Sequence, residues 1–383
     1  YGVGALSIVP FGALGVPWNL WSAVFATAII GAAVLGFRKL MSRYRDHDAE
    51  ALAVSRGPAL LVAGGVTLGA ILIAAAALAG PSHWQTIPSN WDSVWHANTV
   101  RFILDTGQAS PTHMGELRNV ETHDELYYPS AFHALAAVLS QLTGATPTMA
   151  YTVSAAAAAI WLFPASAALL TWTLLRPRLC RRGREEQIGQ WRTAVAAATA
   201  GAIAASFTAV PYVEFDVAAM PNLVAYGLAV PAFALVIATP RHRDRIPLAV
   251  LALVGVLSVH ITGGVVTVLL VGAWWLIECL RNPVRGRVTD FVTLMIVAVP
   301  TALIMLPQFL TVAAQADIIA GHAYIIDLGR KRSLFVAIVQ HSRHLNDHPF
   351  QDLLFGLAAL GGLILLIQIF WWPLAVWLLF VVA

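Results

Sequence analysis

Charge is what this 383-residue chain has least of: acidic and basic residues together make up 11% of it, against roughly 25% in ordinary soluble domains. With 58% hydrophobic residues and a mean hydropathy of +0.73, a water-soluble fold is excluded. Cysteine is almost missing too. Cys180 and Cys279 both sit beside basic segments, so no disulfide is expected. No Gly-rich phosphate cradle is present. The inverted repeats of many transporters are also missing, because the Gly-interrupted stretches at His260–Gly264 and Gly361–Gly362 do not correspond.

What the chain does have is a succession of apolar runs close to the ~20 residues that cross a bilayer. About ten spans are expected, near residues 17–37, 58–80, 147–175, 193–210, 222–239, 246–260, 263–280, 289–310 and 352–371, with another from 374. All should be helices, since lipid offers backbone amides no other partner. The fold class expected is an all-α polytopic membrane protein, a single transmembrane domain over 1–383, with long external loops at 81–146 and 311–351. Tyr1 and Ala383 both lie in apolar stretches, so the chain reads as part of a longer protein.

Loops 38–57, 176–192, 241–245 and 281–287 hold 17 of the 23 Lys and Arg, which makes them cytoplasmic by the positive-inside rule. The net charge of +3 then reflects topology and contact with anionic membrane lipids, and no nucleic-acid partner is expected. A multi-pass plasma-membrane protein with its active face outside the cytoplasm follows. Ten of the twelve histidines fall on that outer side; only His47 and His242 do not.

The first long loop reads PSHWQTIPSNWDSVWHANTVRFILDTGQ, in which Asp92 precedes an amphipathic stretch that Gly107 ends. This predicts an N-capped, Gly-terminated helix lying along the membrane surface, with Trp91 and Trp95 at the interface. A second helix, Tyr127 to Gly144, is entered through Pro129. Asp92 reads either as a helix cap or as an exposed catalytic carboxylate, and the two are compatible. His96, four residues on, shares its helix face, where it can orient the carboxylate, bind phosphate, or only contact the cap.

The order of Asp92, His96, Ile103, Leu104 and Gly107, then Tyr127, Tyr128 and Pro129, resembles the polyprenyl-phosphate-dependent membrane glycosyltransferases of the GT-C superfamily, in an actinobacterial-type cell-envelope form. Two positions depart from the usual pattern: Ser93 stands where many relatives carry a second acid, and Tyr-Tyr-Pro-Ser replaces Lys-Pro-Pro. The resemblance implies inverting transfer of a sugar from a polyprenyl-phosphate donor to a glycan or glycolipid acceptor, with Asp92 as general base and Tyr128 near the donor. It also implies a second acidic site on the next external loop. Glu214 and Asp216 occupy that place, and their hard oxygens suit Mg²⁺ or Mn²⁺; an ordinary solvated loop is the other reading.

Arg330, Lys331, Arg332 and Arg343 in the second long loop run against the topological bias. They are candidates for the donor's phosphate, or for anionic lipid headgroups. His341, His344 and His348 recur at helical spacing, either as a zinc site or as a solvated face. His260, at an outer helix turn, is a further candidate for the donor phosphate. Ala-rich spans with Arg favoured over Lys suit a high-GC bacterium, in which arabinosyl or mannosyl transfer is expected. Rival readings are a lipid or glycolipid flippase, disfavoured because midplane ionisable groups are scarce, and a non-catalytic envelope-assembly protein.

Overall fold

A computed structural model describes residues 1–41, 54–78, 85–88, 91–117, 127–179, 185–206, 211–212, 214–216, 218–281, 284–314 and 360. Among the described residues every regular element is helical. In chain order they are α1 (Gly2–Ala13), α2 (Leu20–Met41), α3 (Arg56–Leu78), α4 (Trp91–Thr106), α5 (Ala131–Thr143), α6 (Pro147–Ala157), α7 (Phe163–Leu179), α8 (Glu185–Ile203), the single turn α9 (Glu214–Asp216), α10 (Met220–Ala238), α11 (Ile246–Val259), α12 (Ile261–Arg281) and α13 (Val284–Ala314). A 3₁₀ segment, Pro111–Leu117, follows α4, and a π turn, Ala158–Leu162, joins α6 to α7 without a break.

Among the described residues five stretches are long and apolar enough to cross a membrane: Leu20–Met41, Arg56–Leu78, Pro147–Arg176, Met220–Ala238 and Arg287–Leu310. The chain is thus a membrane protein, helical in every regular element described. Five of the ten expected spans coincide with these stretches. Those expected near 193–210, 246–260 and 263–280 are helical as α8, α11 and α12 but are not among the five. Glu185, Glu186 and Arg192 make the first turns of α8 polar, and α11 has 14 residues, short for a ~30 Å hydrocarbon layer at 1.5 Å per residue. The spans expected from 352 onward lie outside the described residues. Cys279 is a free thiol.

Polar side chains within these helices satisfy themselves locally, as a medium without water requires. Thr171, Thr193, Thr199, Thr267, Thr293 and Thr301 each donate to the carbonyl four residues back. Helices α3 and α8 approach closely because α3 presents Gly65 and Gly69 one turn apart. A Cβ on either would collide with the backbone carbonyl of Ala198 or Gly201, the small-residue contact by which lipid-embedded helices pack.

Helices α10, α11 and α12 run back and forth, so the bundle has two ends. One end collects the start of α10, the α11–α12 junction and the far end of α13. Onto it pack α4 and α5. Gly107 and Gly144, both at φ +72°, terminate these helices as expected.

One expectation is overturned by the structure: α4 begins at Trp91, so Asp92 stands within its first turn rather than at the cap, near the positive end of the helix dipole. The apolar stripes of α4 and α5 turn into the protein. Val100, Ile103 and Phe132 are wholly buried in one cluster with Trp18, Tyr151, Met220, Val224 and Val259. Trp95 packs with Tyr128 instead of standing alone at an interface, their ring centroids 4.4 Å apart. The indole of Trp18 fastens the docking by donating to the Ala134 carbonyl at 2.9 Å.

Candidate functional site

The site grows from three helix starts. On α4 the spacing of Asp92 and His96 puts both on one face. The chain enters α5 through Tyr128-Pro129-Ser130, held by the Tyr128 N–H donating to Pro111 O at 3.2 Å and Ser130 Oγ donating to Ala109 O at 2.6 Å. Helix α6 is capped by Thr146, whose Oγ1 accepts the Met149 N–H, with Pro147 in the first turn. That start brings Tyr151 beneath α4. The result is an open cleft of about 410 Å³ lined by Asp92, Val94, Trp95, His96, Asn98, Leu117 and Tyr128.

Behind the cleft lies a cluster of rings. His96 and His133 are both buried, and His96 Nδ1 meets His133 Nε2 at 2.9 Å. The other face of His96 stacks on Tyr151, with centroids 5.7 Å apart at 28°, while Trp95 lies edge-on to His96 and His133. Burial pulls the His96 imidazole down to about 3, and the neighbouring His260 adds to the effect. Burial, then His96, pushes His133 well below the usual histidine range. Both rings are therefore neutral at physiological pH.

Tyr151 extends the cluster to the next loop by donating its hydroxyl to Ala218 O at 3.0 Å. Ala218 has φ +63°, a left-handed conformation that costs a non-glycine residue about 1–2 kcal/mol and that this bond helps to hold. The turn leads into α10 at Asn222, the hub of a second polar group. One placement of protons serves the whole group. His260 Nδ1–H donates to Thr262 Oγ1 at 2.8 Å, Thr262 Oγ1–H donates to Asn222 Oδ1, and the Asn222 amide reaches both Glu214 oxygens at 3.3 Å. The competing contact, Thr262 N–H to His260 Nδ1, is longer at 3.4 Å. Burial raises the Glu214 carboxyl above the usual range, and the Asn222 bond partly offsets this.

Of the candidates read from the sequence, Asp92, His96 and Tyr128 thus line one cleft, His260 lies close enough to His96 to act on it electrostatically, and Glu214 joins His260 through two intermediaries. Asp216 closes the turn α9, and its side chain is outside the described residues, as are Arg330, Lys331, Arg332, Arg343, His341, His344 and His348. Glu214 has the hard oxygen donors a divalent cation prefers, but both already accept from Asn222. Among the described residues no three His, Cys, Asp or Glu side chains gather. Sequence reasoning missed His133, Tyr151 and Asn222. The one signal for His133 was a histidine inside an otherwise apolar helical run, a pattern that more often marks a core residue.

The fold and this cleft define a polytopic helical membrane protein whose ring-lined, acid-bearing site sits where helices outside the long apolar stretches close one end of the bundle. Over residues 1–383 the chain belongs to DUF6541, a family of unknown function. No curated protein and no solved structure matches it.

Proposed function

We propose that the chain is a plasma-membrane glycosyltransferase that moves a sugar from a polyprenyl-phosphate donor to a hydroxyl of an envelope glycan or glycolipid at its extracytoplasmic face. The observation that carries this reading is the Asp92–His96–Tyr128 cleft: a carboxylate beside neutral, ring-packed hydrogen-bonding groups, on the membrane protein's end where α4 and α5 dock. Its resemblance to the GT-C pattern, at Asp92, His96, Ile103, Leu104, Gly107, Tyr127, Tyr128 and Pro129, supports the same assignment.

In the proposed step Asp92 takes the proton of the acceptor hydroxyl as its oxygen attacks the anomeric carbon. The bond from that carbon to the phosphate oxygen breaks, and the electron pair leaves with the polyprenyl phosphate. The configuration inverts, since attack and departure take opposite faces. Arabinosyl or mannosyl units are the proposed sugars. Arg330, Lys331, Arg332, Arg343 and His260 are proposed for the donor phosphate, and Mg²⁺ or Mn²⁺ at Glu214 and Asp216 for offsetting charge on the leaving group.

The test is transfer of labelled sugar from a panel of polyprenyl-phosphate donors by the purified full-length protein and its Asp92→Asn variant. Transfer by the wild type, lower by about 10²–10⁴ in the variant, is expected. A wild type that binds polyprenyl phosphate without transferring sugar would replace this reading with a flippase or an assembly partner. Unchanged transfer by Asp92→Asn would remove the base.

A further inference from the structure

His133 touches nothing in the cleft, and the proposed step does not use it. It is wholly buried, its Nε2 lies 2.9 Å from His96 Nδ1, and its own Nδ1 has no hydrogen-bond partner among the described residues. From this geometry we infer that His133 is a positioning residue that locks His96 into the tautomer with the proton on Nε2, so that His96 offers an N–H donor to an oxygen of the ligand in the cleft. The inference rests on the cleft being the ligand site, and it assigns His96 a role distinct from that of a base.

One hydrogen bond joins the two rings, and a neutral imidazole carries one N–H, so only two arrangements exist. In the first, His96 Nδ1–H donates to His133 Nε2. The proton of His133 must then sit on its Nδ1, a buried N–H with no acceptor, and His96 turns a bare lone pair toward the cleft. In the second, His133 Nε2–H donates to His96 Nδ1. The Nδ1 of His133 is then a buried lone pair, and His96 carries its proton on Nε2.

The two differ in which orphan is buried. Either orphan loses its bond to water at comparable cost, so the choice falls to what the outward nitrogen of His96 meets, and a carboxylate in the same cleft favours an N–H there. The second arrangement is therefore the stable one. Surrounding groups do not reverse it. Tyr151 covers a face of His96 rather than its edge and spends its hydroxyl proton on Ala218. Asp92, on the same face of α4 as His96 and in the same cleft, favours a donor at its side over a second acceptor. His260, the other titratable ring acting on His96, has its Nδ1 engaged with Thr262.

A fixed, uncharged donor suits a ligand whose oxygen carries negative charge, such as the bridging or leaving oxygen of a phosphoester. Because it is neutral, it neither neutralises Asp92 nor titrates with it.

The test uses the full-length protein with ¹⁵N-histidine in lipid nanodiscs, His96 being assigned by its loss in His96→Gln. The nitrogen shifts should report protonated Nε2 and unprotonated Nδ1 at His96, unchanged between about pH 5.5 and 8. Protonated Nδ1 at His96, or a ring titrating in that range, would overturn the inference without reference to any activity. A second arm compares His133→Phe, which removes the donor but keeps the buried ring, with His133→Gln, whose amide can still donate. Sugar transfer should fall about tenfold in His133→Phe, the value of one hydrogen bond, and recover to within about threefold in His133→Gln. Equal loss in both variants, with folding intact, would make His133 a packing residue only. Wild-type protein that shows the expected tautomer but transfers no sugar would sink the proposed function and leave the tautomer lock standing.

Discussion

The two ends of the bundle bury polar groups in opposite ways. At one end, the junctions of α10–α11 and α12–α13 hold paired ions: Arg287 reaches Asp290 at 2.6 Å and Glu278 at 3.6 Å, and Arg38 of α2 reaches the buried Asp244 at 3.2 Å. At the other end, His96, His133, Thr262 and Tyr151 bond as neutral groups to one another, to Asn222 or to backbone, and Asn222 in turn reaches the Glu214 carboxyl. Paired charges fasten helix ends, because each ion cancels its neighbour's desolvation cost, and they leave little free to act on a ligand.

The contrast should break hardest in activity: Asp92→Asn is expected to abolish transfer, while Arg287→Ala leaves transfer per folded molecule within about threefold, since no step uses it. In stability the order reverses. Arg287→Ala removes the guanidinium from beside two carboxylates whose side chains are 16% and 21% exposed, and should lower unfolding free energy by about 2–4 kcal/mol, read from thermal melts in detergent.

Acid should then single out the histidine end. The folded pKa values of His96 and His133 lie below the unfolded value near ~6.5, His96 at about 3. The unfolded chain therefore binds more protons, and stability that is full above ~6.5 is lost as pH falls toward the folded values. Between pH 7 and 5 the His96 ring should cost about 2 kcal/mol, and melting temperatures of His96→Gln should show a shallower decline than wild type. A steeper decline would mean that these rings are not the source. Smallest of all, Arg101→Ala breaks an exposed pair with Asp105 whose side chains are 63% and 52% exposed, and should shift the melt by less than about 0.5 kcal/mol.

Much of the site's first face was legible because it is local. Asp92 and His96 lie four residues apart, and helical periodicity alone puts them side by side. Gly107 and Gly144 mark helix ends by the backbone freedom of glycine. His133 was not legible. It meets His96 across 37 residues, and nothing in either segment states that α4 and α5 dock through those faces. The same limit applies to what covers α4: an amphipathic helix has a buried side whether lipid or protein covers it, and its sequence does not distinguish them.

What the sequence by itself determined is therefore the medium and the element type, since hydropathy and the demands of an unsolvated backbone leave helices as the outcome, together with side-chain neighbours within one helix. Tertiary structure alone decided which helices close the bundle end, that Glu214 is tied through Asn222 and Thr262 to His260, and that His96 is buried against His133. Those contacts depend on the packing of distant segments, where close approach is set by the shapes of whole helices and not by any local spacing of residues.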